Sequence, residues 1–175
     1  IYSLTNMKIL VTGDKGYIGT ALCKKLTQLK YNIVGLDIGL YPDLVKTKRD
    51  YRRIKKDLRN VSLKELNGID CIIHLAAISN DPLGELKEKI TYDINYKATV
   101  RLAELSKKAN VSTFIYISTQ SVYGISKNIS KEIKENTKNI KPLTAYAKSK
   151  YKAEKKLLKL SNNKFKLIIK TSCII

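Results

Sequence analysis

The sequence is poor in the residues and patterns from which several protein classes are built. It has no tryptophan, one histidine and three cysteines in 175 residues, and its longest uninterrupted apolar run is only a few residues. A membrane-spanning helix needs about 20 predominantly apolar residues, so no membrane partner is expected. Residues 1–6, which precede Met7, lack the apolar core of a secretory signal, and we interpret them as a leader of unknown origin.

The three cysteines are too far apart to suggest a metal site or a dense disulfide framework. Cys23, Cys71 and Cys173 each fall inside an apolar segment, and no pair has the spacing of metal ligands. We therefore expect reduced, buried thiols in a cytoplasmic protein, and no metal.

Acidic residues are scarce, and the resulting positive charge is only weak evidence for nucleic-acid binding. The chain has 15 acidic and 34 basic residues, for a net charge of +19, and only five of the basic residues are arginine. Arginine is the residue favoured for bidentate contacts with phosphates and bases, and the lysines are scattered through every segment. We therefore expect no nucleic-acid partner, although a positive field would attract an anionic cofactor or substrate.

Short apolar runs alternate with amphipathic stretches along the chain, which is the pattern of strands followed by helices. Strands are predicted at residues 8–12, 32–37, 54–57, 70–76, 113–118 and 165–170. Helices are predicted at residues 17–29, 62–66, 86–109 and 146–160, and polar segments at residues 43–53 and 125–141. The alternation predicts a doubly wound α/β domain over residues 7–175, with a parallel sheet and helices on both faces. The chain stops in or just after a strand, so we expect it to be cut short.

Three glycines follow the first predicted strand and open the first predicted helix. Gly13, Gly16 and Gly19 either only form the turn between a strand and a helix or leave space for a ligand to approach the backbone. In this context the pattern favours a dinucleotide site: Gly13 for a tight turn, Gly16 for contact with a pyrophosphate at the helix N-terminus, and Gly19 for close packing of helix and strand. Tyr17 and Ile18, between the last two glycines, belong to the same predicted site.

Asp37 lies at the end of the second predicted strand, 18 residues after Gly19. A carboxylate at this place accepts hydrogen bonds from both ribose hydroxyls of an adenosine, and it would repel a 2′-phosphate. Asp37 therefore favours NAD over NADP as the cofactor. The alternative is a turn cap, because Gly39 follows closely.

Tyr146 and Lys150 are four residues apart on a predicted helix and so share one face. A free phenol has a pKa of about 10 and is a poor base at neutral pH. A neighbouring ammonium group and a positively charged nicotinamide ring would favour the phenolate and lower that pKa. The pair therefore indicates proton transfer beside the cofactor, although such a pair also arises by chance among 11 tyrosines.

Taken together, five short motifs resemble the extended branch of the short-chain dehydrogenase/reductase superfamily, which contains nucleotide-sugar epimerases and dehydratases. They are TGDKGYIG at residues 12–19, DLR at 57–59, HLAA at 74–77, STQSVYG at 118–124 and YAKSK at 146–150. The resemblance runs through nearly the whole chain from Met7 and implies a Rossmann-type fold with NAD as cofactor.

The resemblance also implies roles for individual residues. Thr119 would hold the reacting sugar oxygen beside Tyr146 and Lys150, whereas His74 has no chemical task and is expected to be structural. Asn95 matches a polar position near the cofactor, with a buried, helix-bending asparagine as the alternative. The remaining cofactor contacts implied by the resemblance are Asp57 and Leu58 at the adenine, with Asp57 accepting from its amino group, and Leu75, Ala76 and Ala77 as a backbone shelf. The segment Ser79–Glu85 either touches substrate or forms a plain turn.

The family's 4,6-dehydratases carry an Asp-Glu pair immediately after the position of Thr119. Here Gln120 and Ser121 occupy those places, so elimination of water would lack its acid and base. The expected function is an NAD-dependent nucleotide-sugar epimerase, with an NAD-dependent sugar or alcohol dehydrogenase, or a non-catalytic dinucleotide-binding module or inactive fragment, as alternatives. Family members build the nucleotide-sugar pocket in a region expected after residue 175, and many pair into homodimers.

Overall fold

The computed structural model describes residues 7–40, 51–79, 87–125 and 140–171. The leader, most of the two predicted polar segments, nearly all of Ser79–Glu85 and Cys173 lie outside the described residues. The helices of the described part are all too short or too polar to cross a bilayer.

Six strands form one parallel sheet. They are β1 (Lys8–Thr12), β2 (Asn32–Asp37), β3 (Arg52–Lys55), β4 (Cys71–His74), β5 (Thr113–Ile117) and β6 (Lys166–Lys170). Their order across the sheet is β3-β2-β1-β4-β5-β6, and every neighbouring pair is parallel. This is the strand order of the doubly wound dinucleotide-binding fold, so the predicted fold class is confirmed.

Helices connect the strands. They are α1 (Tyr17–Gln28), α2 (Leu63–Leu66), α3 (Glu88–Tyr92), a π-helical segment (Asp93–Ala98), α4 (Thr99–Lys108) and α5 (Ala145–Leu157), with 3₁₀ turns at Leu58–Asn60 and Gln120–Tyr123. A capping box opens α2: the backbone N–H of Ser62 donates to the side chain of Glu65, which is 2.8 Å away. The hydroxyl of Thr144 caps α5 by accepting from the backbone of Ala147.

The alternating side chains of the strands form two apolar layers. Leu10 and Ile72 belong to the larger layer, which includes Leu102 of α4 and Leu157 of α5. The smaller layer, on the other face, contains Ile9, Val11, Ile33 and Cys71, and Cys23 of α1 packs against them. Both faces are therefore covered, and this explains why the central strands are apolar almost throughout.

The first two strands have the predicted bounds, whereas the other elements differ from their predicted bounds by one to three residues at one end or both. The third strand begins two residues before the prediction, at Arg52, and ends at Lys55. The single helix predicted over 86–109 is divided by the π-helical segment Asp93–Ala98. Such π-helical turns occur frequently at functional sites.

Strand order reverses between β1 and β4, which are neighbours although two strands lie between them in sequence. In open α/β sheets, ligands bind at this switch point, beyond the carboxyl ends of the strands. The segments that follow β1, β2, β4 and β5 meet at this edge.

Candidate functional site

A cavity of about 950 Å³ lies beyond the carboxyl ends of the strands. This volume is within the usual range for a small-molecule or cofactor site. The predicted site residues that line it are Gly13, Gly16, Tyr17, Ile18, Gly19, Asp37, Asp57, Leu58, Leu75, Ala76, Ala77, Tyr146 and Lys150. Two predicted residues, Asn95 and Thr119, are not in its wall.

The glycine loop connects β1 to α1 along the bottom of the cavity. Gly13 has a φ of +76°, and a Cβ added there would lie 2.8 Å from the backbone nitrogen of Ala76. The turn therefore requires a residue without a side chain at this place. Its backbone N–H donates to the carbonyl of Leu36 over 2.7 Å, which joins the loop to β2.

The N-terminus of α1 opens into the same cavity. Gly16 is its N-cap, and in the described part of the chain neither a capping side chain nor an acidic residue occupies the first turn. The amide groups of that turn and the helix dipole favour an anion. A Cβ added to Gly16 would meet only the Gly13 carbonyl oxygen, at 3.3 Å, so the space above Gly16 is open. The loop accordingly fits a pyrophosphate.

An ion pair between the buried Asp14 and the partly exposed Arg53, which the sequence interpretation missed, supports this loop. The Asp14 side chain is fully buried, and its Oδ2 accepts from Arg53 Nε at 2.9 Å and from the Tyr51 hydroxyl at 3.1 Å. Gly35 of β2 leaves the necessary room, because a Cβ there would lie 2.5 Å from Asp14 Oδ2. The only signal in the sequence was an acidic residue inside the glycine motif.

Two aspartates that the sequence analysis assigned to the cofactor, Asp37 and Asp57, line the cavity. Asp37 lines the cavity and its Oδ1 accepts from the Gly39 backbone N–H at 2.7 Å, so it is both a wall residue and a turn cap. Asp57 is paired with Arg59, whose Nη2 lies 2.6 Å from Asp57 Oδ2. The hydrogen bond from the Arg59 side chain holds the pKa of Asp57 below its usual range, so this carboxylate stays ionised.

Asn95 holds the backbone of Ile78, the residue that follows the predicted shelf. Its amide accepts from the Ile78 N–H at 2.8 Å and donates to the Ile78 carbonyl at 2.9 Å. Its Nδ2 also lies 3.3 Å from Ser149 Oγ. Asn95 is almost fully buried in the π-helical segment. Asn95 therefore does not line the cavity itself but bonds to Ile78, which does.

Lys150 is held by the end of β5. Its Nζ donates to the Ile117 carbonyl oxygen at 2.5 Å and lies 4.5 Å from the centre of the Tyr116 ring. The residue is 3% exposed. Burial lowers the pKa of Lys150 to about 7, and the nearby Glu154 acts in the opposite direction. Tyr146, one turn earlier on α5, is half-buried and lines the same cavity.

Thr119 lies two residues after the end of β5, and its side chain is engaged with its own turn. Its Oγ1 accepts from the Ser121 backbone N–H at 3.2 Å, as the N-cap of the 3₁₀ turn, and lies 3.1 Å from Ser121 Oγ. The neighbouring Ser118 lies in the cavity wall instead. The predicted residue Thr119 therefore lies next to the cavity wall, and the residue before it is part of the wall.

His74 is enclosed in the fold and does not line the cavity. Its Nδ1 lies 2.6 Å from Thr12 Oγ1 and its Nε2 lies 2.8 Å from Thr99 Oγ1. Burial lowers the pKa of His74 to about 3, so the ring is neutral at physiological pH. Both ring nitrogens are occupied, which agrees with a structural role.

Other wall residues were not among the cofactor or catalytic residues expected from the sequence, although Ser79 begins the segment that was expected either to touch substrate or to form a turn. Most are apolar or lie beside a predicted residue at the end of a strand, so no separate motif marks them. They are Lys15, Leu36, Ile38, Leu40, Arg59, Ile78, Ser79, Ile90, Ile94, Ile117 and Ser118.

Comparisons with known proteins agree with this arrangement. Residues 9–171 match the sequence profile of the NAD dependent epimerase/dehydratase family. Over 162 residues the chain is 36% identical to a protein of Bacillus subtilis (strain 168) described as an uncharacterized UDP-glucose epimerase, YtcB, covering 85% of this chain and 50% of that protein. It is 31% identical to the human dTDP-D-glucose 4,6-dehydratase over 160 residues, covering 84% of this chain and 45% of the dehydratase.

A solved structure shows the same fold at similar identity. UDP-glucuronic acid 4-epimerase from Bacillus cereus, crystallised with UDP-glucuronic acid and NAD, superimposes with a TM-score of 0.80 and 32% identity, covering 93% of this chain and 55% of that one. The chain thus spans about half the length of the relatives it matches. The resemblance inferred from the five motifs is confirmed, and NAD, the expected cofactor, is the one on which the matched family depends. Its parallel sheet, its glycine loop and a profile match over nearly all its length place this chain in the NAD dependent epimerase/dehydratase family.

Proposed function

We propose that this chain is the NAD-binding part of a nucleotide-sugar epimerase that acts by transient oxidation of a sugar hydroxyl. One observation carries the proposal. A single cavity brings the glycine loop, Asp37 and the pair Tyr146 and Lys150 together at the switch point of the sheet.

The proposed arrangement of NAD follows from the chemistry of the wall. The open space above Gly16 and the uncapped first turn of α1 would take the pyrophosphate. Asp37 would accept from the adenosine ribose, through the carboxylate oxygen that does not cap Gly39. Leu58 and Asp57 would lie at the adenine, and Leu75, Ala76 and Ala77 would form the shelf beside the nicotinamide half.

Proton transfer is assigned to Tyr146. The chemistry that NAD supplies when bound is reversible hydride transfer at a carbon of the sugar. Tyr146 accepts the proton of the sugar hydroxyl as that carbon becomes a ketone, and returns a proton when the alcohol forms again on the opposite face. Lys150, fixed on the Ile117 carbonyl, stabilises the phenolate and holds the nicotinamide ribose. Thr119, which follows the wall residue Ser118, would steady the sugar oxygen only once its hydroxyl leaves the cap of its own turn.

Epimerisation is favoured over dehydration by the turn after β5. The chain is about equally similar to epimerases and dehydratases, so the family alone does not decide. Gln120 and Ser121 lie on the 3₁₀ turn, and neither carries an acid that could assist the loss of water.

The test uses the gene product at its natural length. It is incubated with NAD and, in turn, UDP-glucose and UDP-glucuronic acid, and the sugars are separated by chromatography. Tyr146→Phe should lower the epimerisation rate at least 100-fold, since general acid–base catalysis contributes about 10²–10⁴-fold. Tyr151→Phe, on the same helix but outside the cavity wall, is the matched control and should retain activity.

Other outcomes separate the alternatives. Net formation of NADH with a nucleotide sugar would indicate a dehydrogenase in place of an epimerase. Retention of NAD with no turnover of any sugar tested, and equal behaviour of Tyr146→Phe and wild type, would indicate a non-catalytic binding module. A folded protein that binds no NAD would refute the proposal outright.

A further inference from the structure

Three ionisable or reactive side chains follow one another along one face of α5. Tyr146, Lys150 and Glu154 are spaced four residues apart, so they lie above one another on the helix. The first two line the cavity, whereas Glu154 lies behind them. The proposed mechanism leaves this third residue without a task, although it is a carboxylate in a largely buried place.

Glu154 is bonded to the end of β5. Its Oε1 accepts a short hydrogen bond from the Ser118 hydroxyl, and Ser118 lies in the cavity wall directly before Thr119. The Ser118 backbone N–H also donates to the Lys170 carbonyl over 2.7 Å. The carboxylate therefore fixes the residue from which the Thr119 turn departs.

The Glu154 carboxylate also influences the charge of Lys150. The groups that face Lys150 are Glu154 and Tyr146 on α5, Tyr116 on β5 and His74 on β4. His74 is neutral at physiological pH, and burial keeps the pKa of the Tyr116 hydroxyl well above its ordinary value. Among these four groups, Glu154 is the only carboxylic acid, and its negative charge opposes the effect of burial on the pKa of Lys150.

The two charges depend on each other. Burial lowers the pKa of Lys150 and raises that of Glu154, while each charge partly reverses the effect of burial on the other. An isolated buried charge is costly, and removing one partner leaves the other uncompensated. The carboxylate one turn further along the helix therefore favours an ammonium at position 150.

We propose that Glu154 is a positioning residue of the site: its carboxylate holds Ser118 at the end of β5 and provides the counter-charge that keeps Lys150 an ammonium beside Tyr146. This inference rests on the proposed function only for the role of Lys150 as the helper of Tyr146. The arrangement of charges itself is independent of which sugar is converted.

The decisive variant is Glu154→Gln, which keeps an oxygen acceptor for Ser118 and removes the charge. The pKa of Lys150 is measured on the folded protein by competitive acetylation with acetic anhydride across pH, with mass spectrometry of the peptide that contains Lys150. Glu154→Gln should lower the apparent pKa of Lys150 by about one unit or more, because a nearby opposite charge favours the charged form. Glu154→Asp, which keeps the charge, should restore most of the shift.

Glu104→Gln is the matched control, because Glu104 is exposed on α4 and away from the cavity. A shift with Glu154→Gln no larger than with Glu104→Gln would overturn the inference. Should Glu154→Gln fail to fold, wild type alone decides: an apparent Lys150 pKa of 6 or below would mean that the residue is neutral at pH 7 despite Glu154, and this also overturns the inference.

The labelling experiment needs neither NAD nor substrate, so its result is separable from the proposed function. If the gene product epimerises no sugar but the Lys150 shift is seen, the proposed function fails and the counter-charge stands. In an active enzyme, the pH at which activity falls as Lys150 loses its proton should also move downward in Glu154→Gln by the same amount. An unchanged profile would contradict the inference while leaving the epimerase assignment intact.

Discussion

Replacing Gly16 and Gly19 with alanine, one at a time, distinguishes the contribution of the loop to NAD binding from its contribution to folding. A Cβ at Gly19 would lie 2.1 Å from the Gly13 carbonyl oxygen and 2.8 Å from Asp14 Cα, both of which are backbone atoms that cannot rotate away. At Gly16 the same atom meets only the Gly13 oxygen, at 3.3 Å, and φ is −68°. The methyl group added in Gly19→Ala would therefore collide with the protein backbone, whereas the methyl group added in Gly16→Ala would lie in the cavity.

The two variants are expected to differ in the free energy of unfolding. Gly16→Ala loses only a favourable N-cap residue, at a cost of about 0.5–1 kcal/mol. Gly19→Ala forces the loop away from α1, and overpacking of this kind costs about 1–3 kcal/mol or more. The two variants should rank differently in their affinity for NAD than in their stability. The Gly16 methyl group occupies the place assigned to the pyrophosphate, so the Kd should rise at least tenfold, or about 1.4 kcal/mol.

The assays are urea unfolding followed by circular dichroism, and calorimetric titration with NAD at a temperature where each variant is folded. Gly68→Ala is the control for a glycine remote from the site, because its φ is +68° and no atom lies within 4 Å of the added Cβ. It should lose about 1–2 kcal/mol of stability through the strained backbone alone and bind NAD normally.

One result would refute the reasoning about the loop. A folded Gly16→Ala variant that binds NAD with the wild-type Kd would show that the cofactor does not approach the backbone at Gly16. A Gly19→Ala variant as stable as wild type would show that the close packing of the loop against α1 is not needed for folding.

Three further predictions concern stability and reactivity. Burial raises the pKa of Glu65, but hydrogen bonds from Lys56 and Ser62 outweigh this effect and lower it from its ordinary value of 4.5 to about 2. Its contribution to stability, at most about 3 kcal/mol, is therefore present above pH 4.5 and lost as the pH falls towards 2, and a pH series of urea unfolding should show a shallower loss for Glu65→Gln. Burial raises the pKa of the Cys71 thiol to about 11, so this thiol should react with a thiol reagent in urea but not in the native state, and fast native labelling of the Cys71 peptide would contradict its packing. Asn95→Ala removes the side-chain partner of the Ile78 backbone N–H and carbonyl and should cost about 1–3 kcal/mol in urea unfolding, whereas an unchanged midpoint would show that this part of the wall does not depend on Asn95.

The order of elements was predictable because it depends on local patterns. Strands such as Lys8–Thr12 and Asn32–Asp37 are apolar runs bounded by polar or glycine residues, and the sequence gives their limits correctly. The third strand was harder, because Arg52–Lys55 lies at the sheet edge and three of its four side chains are exposed. An edge strand with so little apolar character has no clear periodicity.

The site was only partly predictable, since most of its contacts join residues distant in sequence. Glycine spacing and the Tyr146–Lys150 pair are local patterns with a chemical meaning. The bond between Ser118 and Glu154 spans 36 residues, and the pair of Asp14 with Arg53 spans 39. Neither can be inferred from periodicity, because each depends on which strand ends are neighbours. For the same reason the sequence pointed to Thr119, while the wall contains Ser118.

The strand order has one consequence for the behaviour of the protein at high concentration. Sheets with open margins risk pairing with another molecule and aggregating, unless charged side chains prevent it. One margin of the described sheet is β3, with Arg52, Arg53 and Lys55 exposed. Two copies approaching through β3 would bring like charges together, so these basic side chains protect this strand against fibrous association most strongly at low ionic strength.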